Sequence, residues 1–166
     1  PSLMRLASMI PGGTSVNTFV DIGAGRGNVL LAMWLCAQWS PRSAVGYEIS
    51  DRVANIVAPS YIDFIGKKND VAATDNVAVA YCDAMDLKAL PPGSNVVYCF
   101  NVGMHPILLN HVETLVSESP DVEYVFLVAT PFTFVSYPGV WVKHGTMGVS
   151  QSGSRARYTF TLFRRA

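Results

Sequence analysis

Thr18-Phe19-Val20-Asp21-Ile22-Gly23-Ala24-Gly25-Arg26-Gly27-Asn28 is the stretch around which the rest of the chain is organised. Phe19, Val20 and Ile22 form an apolar run of strand type. Gly23, Gly25 and Gly27 follow at alternate positions and let the backbone pass close to another group with no Cβ between them. From Asn28 to Trp39 the chain has no breaker and many good helix formers. Strand, glycine turn and helix in this order open a parallel α/β unit. In such sheets ligands sit at the carboxyl ends of strands, beside a helix N-terminus. A tight strand-to-helix turn with no ligand is the plainer alternative.

The composition bounds what surrounds this unit. A length of 166 residues fits one domain, read as 1–166. Half of the residues are hydrophobic (50%), enough for a sizeable core. Only 14% are charged, against about 25% in ordinary domains. That deficit suggests surface covered by a partner or by further chain. The first residue is Pro1 and the key strand follows almost at once, so the sequence reads as a fragment of a longer chain or as a subunit. A net charge of zero announces neither nucleic acid nor an anionic membrane. No apolar run reaches the roughly 18 residues of a membrane span, and no signal peptide is visible. Cys36, Cys82 and Cys99 lie in apolar contexts without metal-ligand spacing. They read as reduced, buried cysteines of an intracellular protein, and no metal is expected.

In chain order, Leu3 to Ile10 looks like the end of a helix stopped by Pro11-Gly12-Gly13. The helix after the glycine turn is apolar nearly all round, so it is buried on both sides or faces a partner, and Met33, Trp34 and Trp39 read as packing residues. Ser43 to Glu48 is a second strand ending in an acid. Ser50-Asp51 then caps a helix running to about Ile65, which Pro59 should kink or split. Asn76 to Cys82 is a third strand, followed by Asp83-Ala84-Met85-Asp86. Asp86 reads as the cap of a short turn from Leu87 to Leu90, closed by Pro91-Pro92-Gly93. Asn95 to Phe100 is a fourth strand, leading into Asn101-Val102-Gly103-Met104-His105-Pro106. A helix from Ile107 to about Glu118 has apolar residues at 108, 109, 112, 115 and 116. Val122 to Ala129 is a fifth strand. Val140 to His144 and Arg155 to Phe163 then read as two more, with Gly145, Gly148 and Ser152-Gly153-Ser154 marking turns.

Strands therefore alternate with helices and then end in two strands with no helix between. The first part predicts right-handed crossovers and a parallel sheet, the second an antiparallel hairpin. The turn itself discriminates further. A dinucleotide turn reads G-x-G-x-x-G, but position 28 is Asn, so the spacing here is G-x-G-x-G with Asp21 two residues earlier. This pattern, with the terminal hairpin, resembles the class I methyltransferases that bind S-adenosylmethionine. The resemblance implies a Rossmann-like α/β sheet, mostly parallel with a C-terminal antiparallel hairpin, and helices on both faces. It implies a cofactor site made of Asp21, Gly23, Ala24, Gly25, Gly27, Glu48, Asp83, Ala84 and Asn101. Asp21 would face the cofactor's positive charges, Glu48 the ribose hydroxyls, and Asp83 the adenine amino group. In that arrangement the third and fourth strands are not neighbours, so Cys82 and Cys99 should not form a disulfide.

A narrower likeness rests on further pieces: Gly46-Tyr-Glu, Tyr61 to Lys68, Val96-Val-Tyr-Cys-Phe-Asn, Pro131-Phe132 and Val149-Ser-Gln-Ser-Gly-Ser-Arg-Ala-Arg-Tyr158. With the glycine stretch they resemble the disruptor-of-telomeric-silencing family, the non-SET histone lysine methyltransferases. The chain departs from that family at Val102-Gly103-Met104, where an aromatic pair is expected, at Phe100, where a first asparagine is expected, and at Gln151, where a tryptophan is expected. The family's N-terminal helical segment is mostly missing. This likeness implies transfer of methyl to a lysine of histone in a nucleosome, a nuclear location, and a channel formed by Asn101, Met104, Phe132 and Tyr158. Catalytic roles would fall to Asn101, Phe132 and Tyr158, with His105 as a less favoured proton relay. Lys67-Lys68, Arg155, Arg157, Arg164 and Arg165 would supply contact to nucleic acid or to an acidic patch, or simply form solvated faces. Three alternatives stay open. One is a methyltransferase for RNA or another substrate, one a silent methyltransferase-like subunit that binds a protein partner, and the weakest a nicotinamide dehydrogenase.

Overall fold

The computed structural model of the protein describes residues 2–36, 41–69, 76–128, 130, 133–150 and 157–166. The strands are β1 (Thr18–Ile22), β2 (Ser43–Glu48), β3 (Val77–Tyr81), β4 (Ser94–Cys99), β5 (Tyr124–Leu127), β6 (Trp141–Ser150) and β7 (Arg157–Arg165). The α-helices are α1 (Ser2–Ala7), α2 (Asn28–Trp34), α3 (Ala58–Lys68) and α4 (Pro106–Glu118). The strands make a 7-stranded sheet in the order β3-β2-β1-β4-β5-β7-β6. β1 to β5 pair in parallel, and β7 runs antiparallel to both β5 and β6. The expected parallel sheet with a terminal hairpin is what forms.

Alternation along each central strand divides the core into two layers. Phe19, Val96, Tyr98, Tyr124, Phe126, Phe160 and Leu162 face Leu6 of α1, Leu30 and Met33 of α2, and Ala58 and Ile62 of α3. Val20, Ile22, Val97, Cys99, Val125, Leu127 and Phe163 face Val112 and Val116 of α4. Helices therefore cover both faces. Strands buried on both faces carry almost continuous apolar runs, which is why β1, β4 and β5 are so legible. Because β2 and β1 lie between β3 and β4, Cys82 and Cys99 are far apart in the sheet, and both are free thiols.

Several local expectations are corrected. α2 ends at Trp34 instead of reaching Trp39: the amides of Leu35 and Cys36 close onto the carbonyls of Leu31 and Met33. Residues 37–40 lie outside the described residues. Pro59 neither kinks nor splits its helix. A π-helical turn, Val53–Val57, runs directly into α3, and Pro59 occupies that helix's first turn, where a missing N–H is harmless. Ser50 Oγ accepts from Val53 N, whereas Asp51 accepts from Asn55 Nδ2. The short turn after β3 is Ala84–Asp86, and Asp83, not Asp86, caps it. Gly145 and Gly148 lie inside β6 instead of in turns. Lys143 pairs with Phe163 and Gly145 with Leu162, which leaves His144 as the extra residue of a bulge.

Among the described residues no helix lies between β5 and β6. Instead the segment 133–140 folds back over α4. Phe134 N donates to Glu113 Oε2 (2.9 Å), Tyr137 Oη to Thr114 Oγ1 (2.9 Å) and Trp141 Nε1 to Ser117 Oγ (2.8 Å). Phe134 adopts a left-handed φ of 57°, and its ring packs on Trp141 and Phe163.

Arg165 is also reassigned. Its guanidinium donates to the carbonyls of Val116, Ser117, Ser119 and Val122, and lies 4.8 Å from the Trp141 ring centre. The open carbonyls at the C-terminal end of α4 call for a cation there. Arg165 is thus part of the frame and not of a nucleic-acid surface; Arg164 is exposed and Arg155 lies outside the described residues. Replacing Arg165 by Ala is expected to destabilise the fold by about 2–3 kcal/mol in urea unfolding. Arg164→Ala should stay within about 0.5 kcal/mol.

Candidate active site

The order β3-β2-β1-β4 reverses direction of travel at β1 and β4, because β1 leads outward to β2 and β3 while β4 leads to β5. A crevice at the carboxyl ends of the strands is expected at such a switch point. The glycine turn lies there. Gly23, Gly25 and Gly27 take φ values of 82°, 53° and 85°, so each stands in the left-handed region that side chains avoid. Gly27 ends the turn and starts α2 without a side-chain cap.

β2 holds this turn in place. The amides of Gly23 and Ala24 donate to Tyr47 O at 2.9 and 3.0 Å. Glu48 Oε2 accepts from Gly25 N and Oε1 from Ser50 N, both at 2.9 Å. Glu48 is therefore a brace of the glycine turn as well as the acid at the tip of β2. Gly46, which precedes Tyr47 and Glu48 on β2, has a physical reason to lack a side chain. A Cβ there would run into Ala24 Cβ and come within 2.8 Å of Leu30 Cδ1, so the turn and α2 lie directly on β2.

Asp21 sits on β1 beneath the turn, 1% exposed. Neither of its carboxyl oxygens has a hydrogen-bond partner among the described residues. Burial, and then the charge of Glu48, push its pKa up to about 8. The same burial raises Tyr98 and lifts Cys99 to about 12, both on the adjoining β4. No described residue supplies a donor or a cation to this carboxyl.

Asp83 follows β3, and its Oδ1 accepts from Met85 N (2.9 Å), so its second oxygen remains for other partners. Ala84 begins the short turn that Asp83 caps. Asn101 follows β4. Its amide donates to Val128 O (2.9 Å) while its oxygen accepts from Val128 N (2.7 Å), which extends the β4–β5 pairing through a side chain. Met104 turns back toward the glycines: its Cε lies 3.2 Å from where a Gly23 Cβ would stand. Tyr158 on β7 meets Phe100 edge-on at 5.1 Å, beside the Phe100–Phe160 stack. Asp83, Glu48, Asp21 with the glycines, and Asn101 thus stand on four adjacent strand ends, with Tyr158 meeting the residue before Asn101.

Some candidates fall elsewhere. Phe132 and Gln151 lie outside the described residues. His105 caps α4, its Nδ1 accepting from Ile107 N at 3.3 Å, which favours the structural role over a proton relay. Lys67 pairs with Asp63 at 2.7 Å on the surface of α3. Among the described residues no group of His, Cys, Asp and Glu could hold a metal, and no helix is long and apolar enough to cross a membrane. The exposed Ile49 and Met85, just beyond β2 and β3, were not read as site residues. Their only signal in the sequence is their place after Glu48 and near Asp83.

No family model and no curated protein matches the sequence. Solved structures do match over nearly the whole chain. One is M. capricolum TrmK in complex with the natural cofactor product S-adenosyl-homocysteine, at 8% identity and TM-score 0.67, covering 98% of this chain and 67% of that one. Another is the B. subtilis M1A22 tRNA methyltransferase TrmK, at 15% identity and TM-score 0.67, covering 99% and 65%. A third is the geranyl diphosphate C-methyltransferase of Streptomyces coelicolor A3(2), at 13% identity and TM-score 0.64, covering 99% and 79%. At such identities the likeness is one of fold: a Rossmann-like methyltransferase sheet. The chain spans about two thirds of the length of the two TrmK proteins.

Proposed function

We propose that the protein is a methyltransferase that uses S-adenosylmethionine. The observation that carries this reading is the row of side chains on adjacent strand ends, Asp83, Glu48, Asp21 and Asn101, around a turn of three left-handed glycines. The buried, unpartnered carboxyl of Asp21 fits a cationic ligand and opposes a pyrophosphate, which removes the ground for a nicotinamide dehydrogenase. Glu48 would take the ribose hydroxyls with the lone pairs that Gly25 and Ser50 leave free. Asp83 would accept from the adenine amino group, with Ile49 and Met85 as apolar walls for the base.

When bound, the cofactor supplies a methyl carbon activated by sulfonium. The chain's part is to orient the reactants and keep water out. Met104 and Tyr158 would border the acceptor side, where an apolar and aromatic wall favours an acceptor nitrogen in its neutral form. Asn101 acts here as a positioning residue, since its amide ties the ends of β4 and β5 together.

For the acceptor we favour a nitrogen of an RNA base, supported by the tRNA methyltransferase among the structural neighbours. Histone lysine and a nuclear location gain no support from these neighbours. A protein lysine remains the second reading, favoured by the Phe100–Tyr158 contact next to Asn101. Calorimetric titration with S-adenosylmethionine, and separately with its demethylated product, tests the first step. Micromolar binding is the expected result, and no binding of either overturns it. Labelled cofactor offered with tRNA and with nucleosomes tests the second. Label in nucleosomes alone would replace RNA by lysine.

A further inference from the structure

Asp21 poses a problem that cofactor contact alone does not explain. An ionised carboxylate with no donor, 1% exposed, is among the least stable arrangements a protein can hold. The groups around it are these. Glu48 faces it from β2 and bears the same charge. Tyr98 and Cys99 adjoin it from β4, and burial keeps both in their neutral forms. α2, which starts at the end of the turn, carries no ionisable side chain between Asn28 and Trp34. Arg26, the cation of the turn, lies 4.7 Å from the Tyr61 ring centre and donates to Asn28. No described group offsets a charge on Asp21.

We propose that Asp21 holds a proton while the turn is empty and releases it when the cationic methyl donor enters, so that this one residue distinguishes the donor from its uncharged-sulfur product. The proposal rests on the methyl-donor reading above. The proton passes from the Asp21 carboxyl to solvent as the ligand's positive charge takes its place. Once the sulfonium has become a thioether, Asp21 takes a proton back, and the bound product loses part of its attraction. With a pKa near 8, only about a tenth of the free protein is ionised at pH 7, so nearly every binding event would release a proton.

The sign follows directly. A group whose pKa is high in the free protein and lowered by a ligand makes that ligand bind more tightly as pH rises toward the free value. Affinity for S-adenosylmethionine should climb by up to about tenfold per unit between roughly pH 6 and 8 and level off above. Affinity for the demethylated product should change much less. Calorimetry of the full chain in phosphate and in Tris at pH 7 reads the proton count from the difference in heat. About one proton released per donor bound, and a smaller number for the product, is the expected result. Asp21→Asn should bind the donor more weakly at pH 8, and the binding that remains should show no dependence on buffer.

Donor binding that releases no proton, or release that persists in Asp21→Asn, overturns the proposal while leaving the methyltransferase reading intact. Binding of neither cofactor form removes the reading itself. A measurement without ligand gives an independent check. The infrared band of a protonated buried carboxyl should be present at pH 7 and missing in Asp21→Asn, and its absence from the parent protein also overturns the proposal.

Discussion

Asp21→Asn is expected to raise the melting temperature at pH 7 by about 5–10 °C and to leave it unchanged near pH 4. An aspartate in the unfolded chain titrates near 3.9, whereas burial lifts Asp21 to about 8 in the fold. Below about pH 4 both states hold the proton and no penalty exists. As pH rises from about 4 to 8 the unfolded chain ionises and the folded one does not, so stability is lost across that window. Above about 8 the penalty is constant. Asparagine keeps the shape and removes the charge, which recovers on the order of a few kcal/mol, less what its own unpaired amide costs. Thermal melts at pH 4, 7 and 9 measure this. A variant no more stable than its parent at pH 7 would mean that Asp21 is not an unpaired buried acid. A residue that weakens the fold from beneath the glycine turn would, if it meets a ligand there, exchange stability for function.

Glu48→Ala should have the largest effect on the cofactor, a loss of affinity of about a hundredfold or more. Two things would disappear together. A bound ribose would lose its proposed acceptor, and the amides of Gly25 and Ser50 lose theirs. Each unmade bond to a charged group is worth about 1–3 kcal/mol, and about 1.4 kcal/mol is a factor of ten. Glu48→Gln keeps one acceptor oxygen and should fall between the parent and the alanine variant. Calorimetric titration with each protein, after circular dichroism has shown the fold intact, reads the outcome. Unchanged affinity in Glu48→Ala would remove this residue from the site.

The two variants also show which parts of the protein could be read from the chain. Asp21, Glu48 and Asp83 were legible as acids at strand ends, because each follows or ends an apolar run and the run's period is a local property. That Glu48 also braces Gly25, 23 residues earlier, was not legible. Nor was the pairing of the Asn101 amide with Val128, which makes that side chain a clamp between strands. The cap after β3 went to Asp83 instead of Asp86, since capping depends on a backbone path that neighbouring residue types do not specify. Pro59 reads as a breaker in any sequence. Here the wider turn before it made room, and packing of Ala54, Ala58 and Ile62 against the sheet kept the helix continuous.

By itself the sequence determined the order of strands and helices, the glycine turn, the parallel sheet and the closing hairpin. These follow from hydrophobic period, breakers and the handedness of crossovers, all of which act over short stretches of chain. Only the tertiary structure decided that Asp21 has no partner, that Gly46 must lack a side chain beneath Ala24 and Leu30, and that Arg165 closes the end of α4. Those outcomes depend on which distant groups are brought within a few ångströms of one another. Burial strengthens every such meeting, and every missing partner, far beyond what the same residues would feel in water.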